Sequence, residues 1–202
     1  MINLSLRLTP SMTAPIAPAL LSWFKQHGRH DLPWQRSPAN PYYVWLSEIM
    51  LQQTQVATVS AYFERFIRAF PSIEALAHGT EEEVMAQWAG LGYYRRARYL
   101  HQTAKIIVQD HQGQLPQDIE VLQSLPGIGP STAGAIASQA YHLPTPILDG
   151  NVKRVLTRLT AMEGYPEDGP IKKKLWQLAK QWMPLTHCAD YTQAIMDLGA
   201  TV

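Results

Sequence analysis

The chain contains very little cysteine, because Cys188 is the only one among its 202 residues. A single thiol cannot form an internal disulfide, and this chain alone cannot supply a cysteine-only zinc site or an all-cysteine iron–sulfur cluster. We therefore expect Cys188 to be a small buried apolar residue.

Long apolar runs and a large net charge are also missing. No stretch reaches the roughly 18 apolar residues of a membrane-spanning helix, and the first residues, MINLSLRLTPSMTAP, lack the basic-then-apolar order of a secretory signal. We expect a soluble, cytoplasmic protein. The net charge of +1 gives no overall sign of nucleic-acid binding, which usually leaves a strongly basic balance. Any such function has to rest on local features.

Apolar residues make up 46% of the chain and recur at helical spacing nearly everywhere, which predicts an all-α fold. The predicted helices cover about 14–27, 42–53, 55–69, 72–78, 81–89, 93–111, 118–124, 131–141, 151–161, 169–182 and 188–200. Thr80 and Glu83 form a capping box before one of them. The segment LPTPIL at 143–148 is apolar, but its two prolines favour an extended linker over a strand. This linker predicts two lobes, 31–143 and 1–30 together with 144–202.

Residues 122–137, LQSLPGIGPSTAGAIA, predict a helix, a tight hairpin and a second helix that begins at Pro130, within about 118–141. Gly127 and Gly129 let the backbone turn sharply and approach a ligand closely. The start of the second helix offers unpaired N–H groups and a positive dipole end, so this turn can hold a phosphate without any lysine. An ordinary helix–helix corner has the same pattern, and the residues alone leave both interpretations open.

Glu48 lies in an apolar part of its predicted helix, where Val44, Trp45 and Leu51 are its neighbours. Removal from water raises the pKa of a carboxyl group, so Glu48 is a candidate proton donor near neutral pH. The alternative is a glutamate at a helix edge with its carboxylate in water. Asp149 precedes Gly150, Asn151 and a predicted helical run, and it is expected to be the N-cap, kept ionised by the N–H groups of the first turn.

Four segments in this order resemble one known family. LPGIGPSTAGAIA followed by PILDGNVKRVL resembles the helix-hairpin-helix motif with the Gly/Pro-rich loop and Asp of the DNA glycosylase superfamily. WLSEIMLQQTQVATV and GLGYYRRAR are similar to the adenine DNA glycosylases (MutY-like). The resemblance covers about residues 23–200 and implies a two-lobed helical glycosylase fold.

The resemblance implies a monofunctional adenine DNA glycosylase of base excision repair. Such an enzyme flips adenine mispaired with 8-oxoguanine or guanine out of double-stranded DNA and hydrolyses its N-glycosidic bond. By resemblance Glu48 protonates the leaving base, Asp149 stabilises the sugar cation and forms a transient covalent bond with it, and Asn151 orients the group. Relatives that also cut the strand carry a Schiff-base lysine where this chain has Ser131, which implies that no lyase step occurs.

The resemblance assigns further residues to base and DNA binding. The residues matched to the adenine pocket are Leu51, Trp34, His30, Gln193 and Ser131. The residues matched to DNA contacts are Gln52, Gln53, Thr54, Tyr93, Arg95, Pro126, Gly127, Ile128, Gly129, Ser131, Thr132 and Lys153. Other roles stay open: Trp34 suits a core, Tyr93 suits packing at a helix start, and the run Arg95, Arg96 and Arg98 suits either a solvated helix face or a DNA-backbone contact.

The family also implies a 4Fe-4S cluster, a monomer that acts on DNA in the nucleoid, and no membrane contact. The cluster cysteines follow a segment like YTQAIMDLGATV, where this sequence stops. Cys188 lies too early, and such a cluster needs four thiolates, so we expect either a truncated chain or a cluster-less variant, with no metal ligand in residues 1–202. Two other functions remain: an endonuclease III-like glycosylase/lyase, and a non-catalytic helix-hairpin-helix DNA-binding module.

Overall fold

The structure is a computed structural model that describes residues 16–201. In that range the chain forms eleven helices and no strand, which confirms the all-α prediction. The helices are α1 (Ile16–His27), α2 (Pro41–Leu51), α3 (Val56–Ala69), α4 (Ile73–His78), α5 (Glu81–Trp88), α6 (Arg95–Asp110), α7 (Ile119–Ser124), α8 (Pro130–Tyr141), α9 (Gly150–Leu159), α10 (Gly169–Trp182) and α11 (Cys188–Thr201).

Every predicted helix is present, and no described helix end differs from its prediction by more than two residues. Residues 14–15 of the first predicted helix, and residues 1–15 of the predicted second lobe, lie outside the described range. The prediction that the second helix continues through Gln52 and Gln53 is wrong. That helix ends at Leu51, and Gln53 has a left-handed backbone with φ of 59°, which a right-handed helix does not contain.

Side-chain caps explain where several helices begin. Asn40 accepts hydrogen bonds from the backbone N–H groups of Tyr42 and Tyr43, and Pro41 follows it as the first helical residue. The capping box of Thr80 and Glu83 is confirmed, with reciprocal bonds of 3.2 and 2.8 Å. Each cap satisfies an N–H group that the helix itself cannot, and this favours the helix starting at that residue.

The buried apolar side chains form two clusters. The first runs from Trp34 to Ala137 and is built by α2 to α8, while the second combines α1 with α9, α10, α11 and the linker residues Ile147 and Leu148. Helix α8 lies between them, because Ile136 packs in the first cluster and Ala135 in the second. The boundary of the two lobes at residues 143–144 stays a prediction.

The linker at 143–148 has neither helical nor strand structure, as its prolines predict. The hydroxyl of Thr145 donates to the carbonyl oxygen of Gly134 on α8 at 2.8 Å, and a side chain at Gly134 would overlap the Pro146 carbonyl. The linker therefore packs directly against α8, and Asp149 at its end is brought close to that helix. Among the described helices, none is both long and apolar enough to cross a membrane.

Candidate active site

Glu48 lies in the last turn of α2, whose other side chains are largely buried. The Glu48 carboxyl group is half-buried, and its Oε1 accepts a hydrogen bond of 3.1 Å from Nε2 of Gln139 on α8. The packing of α2 against α8 thus turns this carboxyl toward the neighbouring helix. The alternative of a helix-edge glutamate with its carboxylate in water does not fit this geometry.

Burial, with a smaller contribution from the negative charge of Asp149, raises the pKa of Glu48 to about 7, and the hydrogen bond from Gln139 opposes this rise. The direction agrees with the prediction from the apolar helix. The protonated and ionised forms of Glu48 are therefore both populated near neutral pH, as general acid catalysis requires. The effect of Asp149 also indicates that the two carboxyl groups lie near each other, although 101 positions separate them in the sequence.

Asp149 is the N-cap of α9, as predicted. Its Oδ1 accepts a hydrogen bond of 2.8 Å from the N–H of Val152, and its Oδ2 accepts one of 3.4 Å from the side-chain amide of Asn151. Burial nevertheless raises the pKa of Asp149, against the hydrogen bonds from Val152 and Asn151 and the charges of Lys153 and Arg154. The N-cap position predicts the opposite direction, but the packing that removes water from this carboxyl outweighs the helix start.

Arg154 is a contact of Asn151 that the sequence pattern did not reveal. Its guanidinium donates to Oδ1 of Asn151 at 3.1 Å and also to the carbonyl oxygen of Gly199 on α11. A side chain at Gly199 would overlap Asn151, so α9 and α11 approach closely here. Arg154 therefore orients the Asn151 amide with its nitrogen toward Asp149.

A cavity of about 420 Å³ adjoins α2 and α8. Its lining includes the predicted pocket residues His30, Trp34 and Gln193, together with Gln139. Gln139 thus joins the cavity to Glu48, a role for which its sequence surroundings carry no signal. Trp34 is also part of the first cluster, so its core and pocket roles are compatible.

Leu51 and Ser131, the other two residues predicted for the pocket, are not among the cavity lining. Leu51 packs against the first cluster, and the hydroxyl of Ser131 accepts a hydrogen bond of 3.1 Å from the N–H of Leu148. Ser131 therefore holds the linker that leads to Asp149. The predicted contacts of both residues with adenine stay predictions.

The side chain of Gln193 is oriented by the ion pair of Arg29 and Asp197, which the sequence did not indicate. Its Nε2 donates to Oδ1 of Asp197 at 2.8 Å, and Asp197 also accepts from the backbone N–H and the guanidinium of Arg29 at 2.5 to 2.9 Å. This carboxylate accepts a hydrogen bond from the amide nitrogen of Gln193 and so fixes a side chain that lines the cavity. Residues 193 and 197 lie one helical turn apart, but Arg29 is distant in sequence.

Two loops, each with an exposed side chain, lie near the end of α2. We call residues 52–54 the glutamine segment and residues 90–93 the tyrosine segment. Gln53 is exposed, and Tyr93 is 58% exposed with φ of 50°. The interpretation of Tyr93 as an aromatic residue packed at a helix start is therefore wrong. Gln52 donates to the hydroxyl of Thr132 at 3.4 Å, which joins the glutamine segment to the hairpin.

The predicted hairpin is present between α7 and α8. Gly127 has φ of 79°, and a β-carbon added at Gly129, at the start of α8, would meet open space. Pro126 accepts a hydrogen bond of 2.9 Å from Thr103, while the side chain of Ile128 is buried in the first cluster. Ile128 can therefore offer a ligand its backbone but not its side chain.

The basic side chains predicted to contact DNA differ in their exposure and in the partners that they already have within the protein. Arg95 is exposed and donates to the hydroxyl of Tyr99 at 2.7 Å, whereas the ammonium of Lys153 forms an ion pair with Glu167. Arg96 contradicts both interpretations of the arginine run, because it is only 8% exposed and its guanidinium donates to backbone carbonyl groups inside the protein. Arg98 lies on the surface in an exposed ion pair with Glu81.

The residues present do not fit a 4Fe-4S cluster. Such a cluster needs four thiolates, whereas the chain has one cysteine, and Cys188 is buried with its thiol donating to the carbonyl oxygen of Pro184. Within residues 16–201 no group of three or more His, Cys, Asp or Glu side chains is placed to hold a metal ion. No chemical step is therefore assigned to a metal.

Comparisons with known proteins show which family this chain belongs to. A family model described as "HhH-GPD superfamily base excision DNA repair protein" matches residues 46–181. The chain is 43% identical over 183 residues to the adenine DNA glycosylase of Buchnera aphidicola subsp. Acyrthosiphon pisum, covering 91% of this chain and 52% of that protein. It is 45% identical over 192 residues to the human adenine DNA glycosylase, covering 91% and 35%. The chain thus spans about half the length, or less, of these curated relatives.

Two solved structures show the same fold. A thermostable thymine-DNA glycosylase superposes with a TM-score of 0.81 at 25% identity, covering 92% of this chain and 85% of that one. A non-covalent endonuclease III–DNA complex superposes with a TM-score of 0.74 at 20% identity, covering 95% and 85%. The predicted glycosylase fold and the predicted family resemblance are both confirmed.

Proposed function

Because the chain belongs to the HhH-GPD superfamily of base excision DNA repair proteins, we propose that it is an adenine DNA glycosylase. It removes adenine mispaired with 8-oxoguanine or guanine from double-stranded DNA by hydrolysis of the N-glycosidic bond, acting as a monomer. The observation that carries this proposal is the pair of neighbouring carboxyl groups, Glu48 with a pKa of about 7 and Asp149 at the start of α9.

The two carboxyl groups suit the two halves of the reaction. Adenine leaves poorly as an anion, and a proton from Glu48 to N7 lets it leave as a neutral base. The sugar becomes a cation of the oxocarbenium type, which the negative charge of Asp149 stabilises directly or by a transient bond to the anomeric carbon. Water then adds at that carbon, any bond to Asp149 breaks to restore its carboxylate, and the proton of the water passes to the Glu48 carboxylate. Asn151, oriented by Arg154, holds the Asp149 carboxylate in place.

The cavity is suited to receive the extruded base. Its volume of about 420 Å³ is within the usual range of small-molecule sites, and Gln139 connects its lining with Glu48. The side-chain carbonyl oxygen of Gln193, whose amide nitrogen is bonded to Asp197, is the acceptor proposed for the exocyclic amino group of adenine. Ser131 replaces the lysine of the lyases, which supports base removal without strand cleavage.

DNA binding is proposed for the hairpin and the two exposed segments. The N–H groups at the start of α8 bind a phosphate of the DNA, and the lack of a side chain at Gly129 leaves space for that phosphate. The glutamine segment and Tyr93 contact the duplex where adenine is displaced, and Arg95 and Lys153 contact its backbone. Lys153 can do so only after exchanging its ion pair with Glu167 for a phosphate.

The proposal is tested by single-turnover release of adenine. Duplexes carrying adenine opposite 8-oxoguanine, guanine and thymine are compared for the wild type and Glu48→Gln, which keeps the side-chain shape but cannot donate an acidic proton. We expect release from the first two duplexes and its loss in the variant. The control is Glu64→Gln at an exposed glutamate on α3, which should release adenine like the wild type.

The same assay separates the other functions. Clear duplex binding without release in the wild type would point to a non-catalytic DNA-binding module. Efficient borohydride trapping of a covalent protein–DNA adduct would point to an endonuclease III-like lyase.

A further inference from the structure

Arg96 is a charged side chain that lies inside the protein. It is the second residue of α6 and is 8% exposed, and within residues 16–201 it takes part in no ion pair with a carboxylate. Its Nε is buried with no hydrogen-bond partner among those residues. A buried charge needs compensation to be tolerated, so the groups that surround the guanidinium indicate what this residue is for.

One terminal nitrogen of Arg96 binds the end of the helix that carries Glu48. It donates to the carbonyl oxygens of Ile49 at 3.1 Å and Met50 at 2.8 Å, and also to that of Gln52. The last carbonyl groups of a helix have no partner within the helix and carry its negative dipole end. The positive charge of Arg96 therefore caps α2 directly after Glu48 and holds the first residue of the glutamine segment.

The other terminal nitrogen binds both exposed segments. It donates to the hydroxyl of Thr54 at 3.1 Å and to the carbonyl oxygen of Gly92 at 3.3 Å. The guanidinium also lies 5.2 Å from the centre of the Tyr93 ring, within the range of a cation–π contact. The planar guanidinium group of Arg96 thus joins the glutamine segment to the tyrosine segment.

Each segment contains an exposed residue in a strained backbone conformation. Gln53 has φ of 59° and Tyr93 has φ of 50°, values that are uncommon for residues other than glycine. Such conformations persist when their surroundings hold them, and they concentrate at functional sites. Arg96 contacts residues 52 and 54 on both sides of Gln53, and residue 92 just before Tyr93.

We infer that Arg96 is a positioning residue that sets the placement of the glutamine and tyrosine segments relative to each other and to Glu48. It acts through these segments and does not itself bind DNA. This inference rests on the proposed function, in which both segments contact the duplex as the base is extruded. Because the planar guanidinium serves both segments at once, a lysine, whose charge is a single point, cannot replace it fully.

The first test is hydrogen exchange of the free protein, which needs no enzymatic activity. In Arg96→Gln we expect faster exchange of the backbone amides in residues 50–54 and 91–93 together. The control is Ile107→Ala, which removes a buried side chain from the far part of the same helix. It should lower overall stability without selecting these segments. Faster exchange in only one segment of Arg96→Gln, or in neither, would overturn the inference.

The second test follows base extrusion and release. 2-Aminopurine next to the target adenine reports extrusion, and single-turnover release reports the chemistry. Since a misplacement of about 1 Å can lower a rate on the order of 100-fold, we expect both rates to fall by about that factor in Arg96→Gln. Affinity for a duplex with a tetrahydrofuran in place of the adenosine should fall far less, and Ile107→Ala should keep wild-type rates.

Arg96→Lys completes the design and replaces Arg96→Gln if the latter does not fold. We expect rates between those of the wild type and Arg96→Gln, with exchange still increased in at least one segment. Wild-type rates and wild-type exchange in Arg96→Lys would show that charge alone suffices, and would refute the positioning role. If the wild type releases no adenine, the proposed function fails, while the exchange experiment still decides whether Arg96 joins the two segments.

Discussion

The carboxyl groups of Glu48 and Asp149 are both largely removed from water, but they differ in the hydrogen-bond donors and charges around them. Within residues 16–201 Glu48 has one hydrogen-bond donor, Gln139, and it has a negative neighbour, so burial dominates and its pKa rises to about 7. Asp149 accepts hydrogen bonds from the start of α9 and lies near Lys153 and Arg154, which limit the rise of its pKa. At the scale of single residues, this difference lets one carboxyl group carry a proton while the other carries a charge.

The raised pKa of Glu48 has a consequence for stability. Its folded-state pKa of about 7 lies above the ordinary 4.5, so the folded protein binds this proton more tightly than the unfolded chain does. The contribution of Glu48 is most favourable below about pH 4.5 and is lost as the pH rises through about 7. Glu48→Gln is neutral at every pH, so its stability relative to the wild type should rise by up to about 3 kcal/mol from pH 5 to pH 8.

Denaturant unfolding of the wild type and Glu48→Gln at both pH values measures this change. Glu64→Gln, at an exposed glutamate on α3, controls for the loss of a carboxyl group as such. An equal stability difference at pH 5 and pH 8 for Glu48→Gln would show that Glu48 is not perturbed by burial.

At the scale of elements, two helix starts carry groups of the site, the charged carboxylate of Asp149 and the N–H groups proposed to bind DNA. The start of α9 carries Asp149 as its cap, and the start of α8 carries the hairpin glycine Gly129. Both offer N–H groups that favour a negative charge. The start of α9 receives that charge from Asp149, whereas the start of α8 has no side-chain cap among the described residues and is the proposed phosphate site.

Two substitutions distinguish the role of Asp149 as a helix cap from the role of its negative charge in adenine release. Asparagine caps a helix as well as aspartate does, whereas alanine costs about 1 kcal/mol. We expect Asp149→Asn to be at least as stable as the wild type at neutral pH, because burial raises the pKa of Asp149 and so disfavours its charge, and Asp149→Ala to be less stable than Asp149→Asn by about 1 kcal/mol. Both should release adenine on the order of 100-fold more slowly or worse, because both lack the negative charge. Thermal unfolding and single-turnover release measure the two effects, and near-normal release by Asp149→Asn would argue against the role of the charge.

The two glycines of the hairpin, Gly127 and Gly129, provide a second pair of test substitutions. A side chain at Gly129 meets open space, whereas at Gly127 it would adopt φ of 79° and lie 3.0 Å from the β-carbon of Tyr99. Gly129→Ala should therefore fold with wild-type stability but bind duplex DNA about tenfold more weakly, by blocking a close phosphate contact. Gly127→Ala should lose about 1 kcal/mol of stability. Duplex titrations with unchanged affinity for Gly129→Ala would remove this glycine from the interface.

At the scale of the whole molecule, α8 connects the two clusters and carries much of the site. Its first turn forms the hairpin, Gln139 reaches Glu48, and Ala135 and Ile136 pack on opposite sides. The cavity and both carboxyl groups therefore depend on how the two clusters meet at this helix. We expect the clusters to unfold together.

Gly134 tests this coupling, because its side-chain position is filled by the Pro146 carbonyl. We expect Gly134→Ala to lose about 2 kcal/mol through overpacking, in a single transition that circular dichroism and tryptophan fluorescence report alike. Gly169→Ala is the control, since open space surrounds Gly169 at the start of α10. Two separated transitions in Gly134→Ala would mean that the clusters are independent.

The sequence by itself determined the helices, the hairpin, the cap at Asp149 and the apolar setting of Glu48. These follow from apolar periodicity, capping residues and glycine or proline positions, which act over a few neighbouring residues. For the same reason the predicted helix ends agree with the structure within two residues.

Only the tertiary structure decided the contacts between residues far apart in the chain. Gln139 lies 91 positions from Glu48, and Arg29 lies 168 positions from Asp197. The arginine run is typical of a surface, yet Arg96 is inside, since the packing of α6 against the end of α2 sets its burial. Local sequence patterns do not specify which residues far apart in the chain come into contact. The raised pKa of Asp149 depends on such contacts, because burial is a property of the packed molecule.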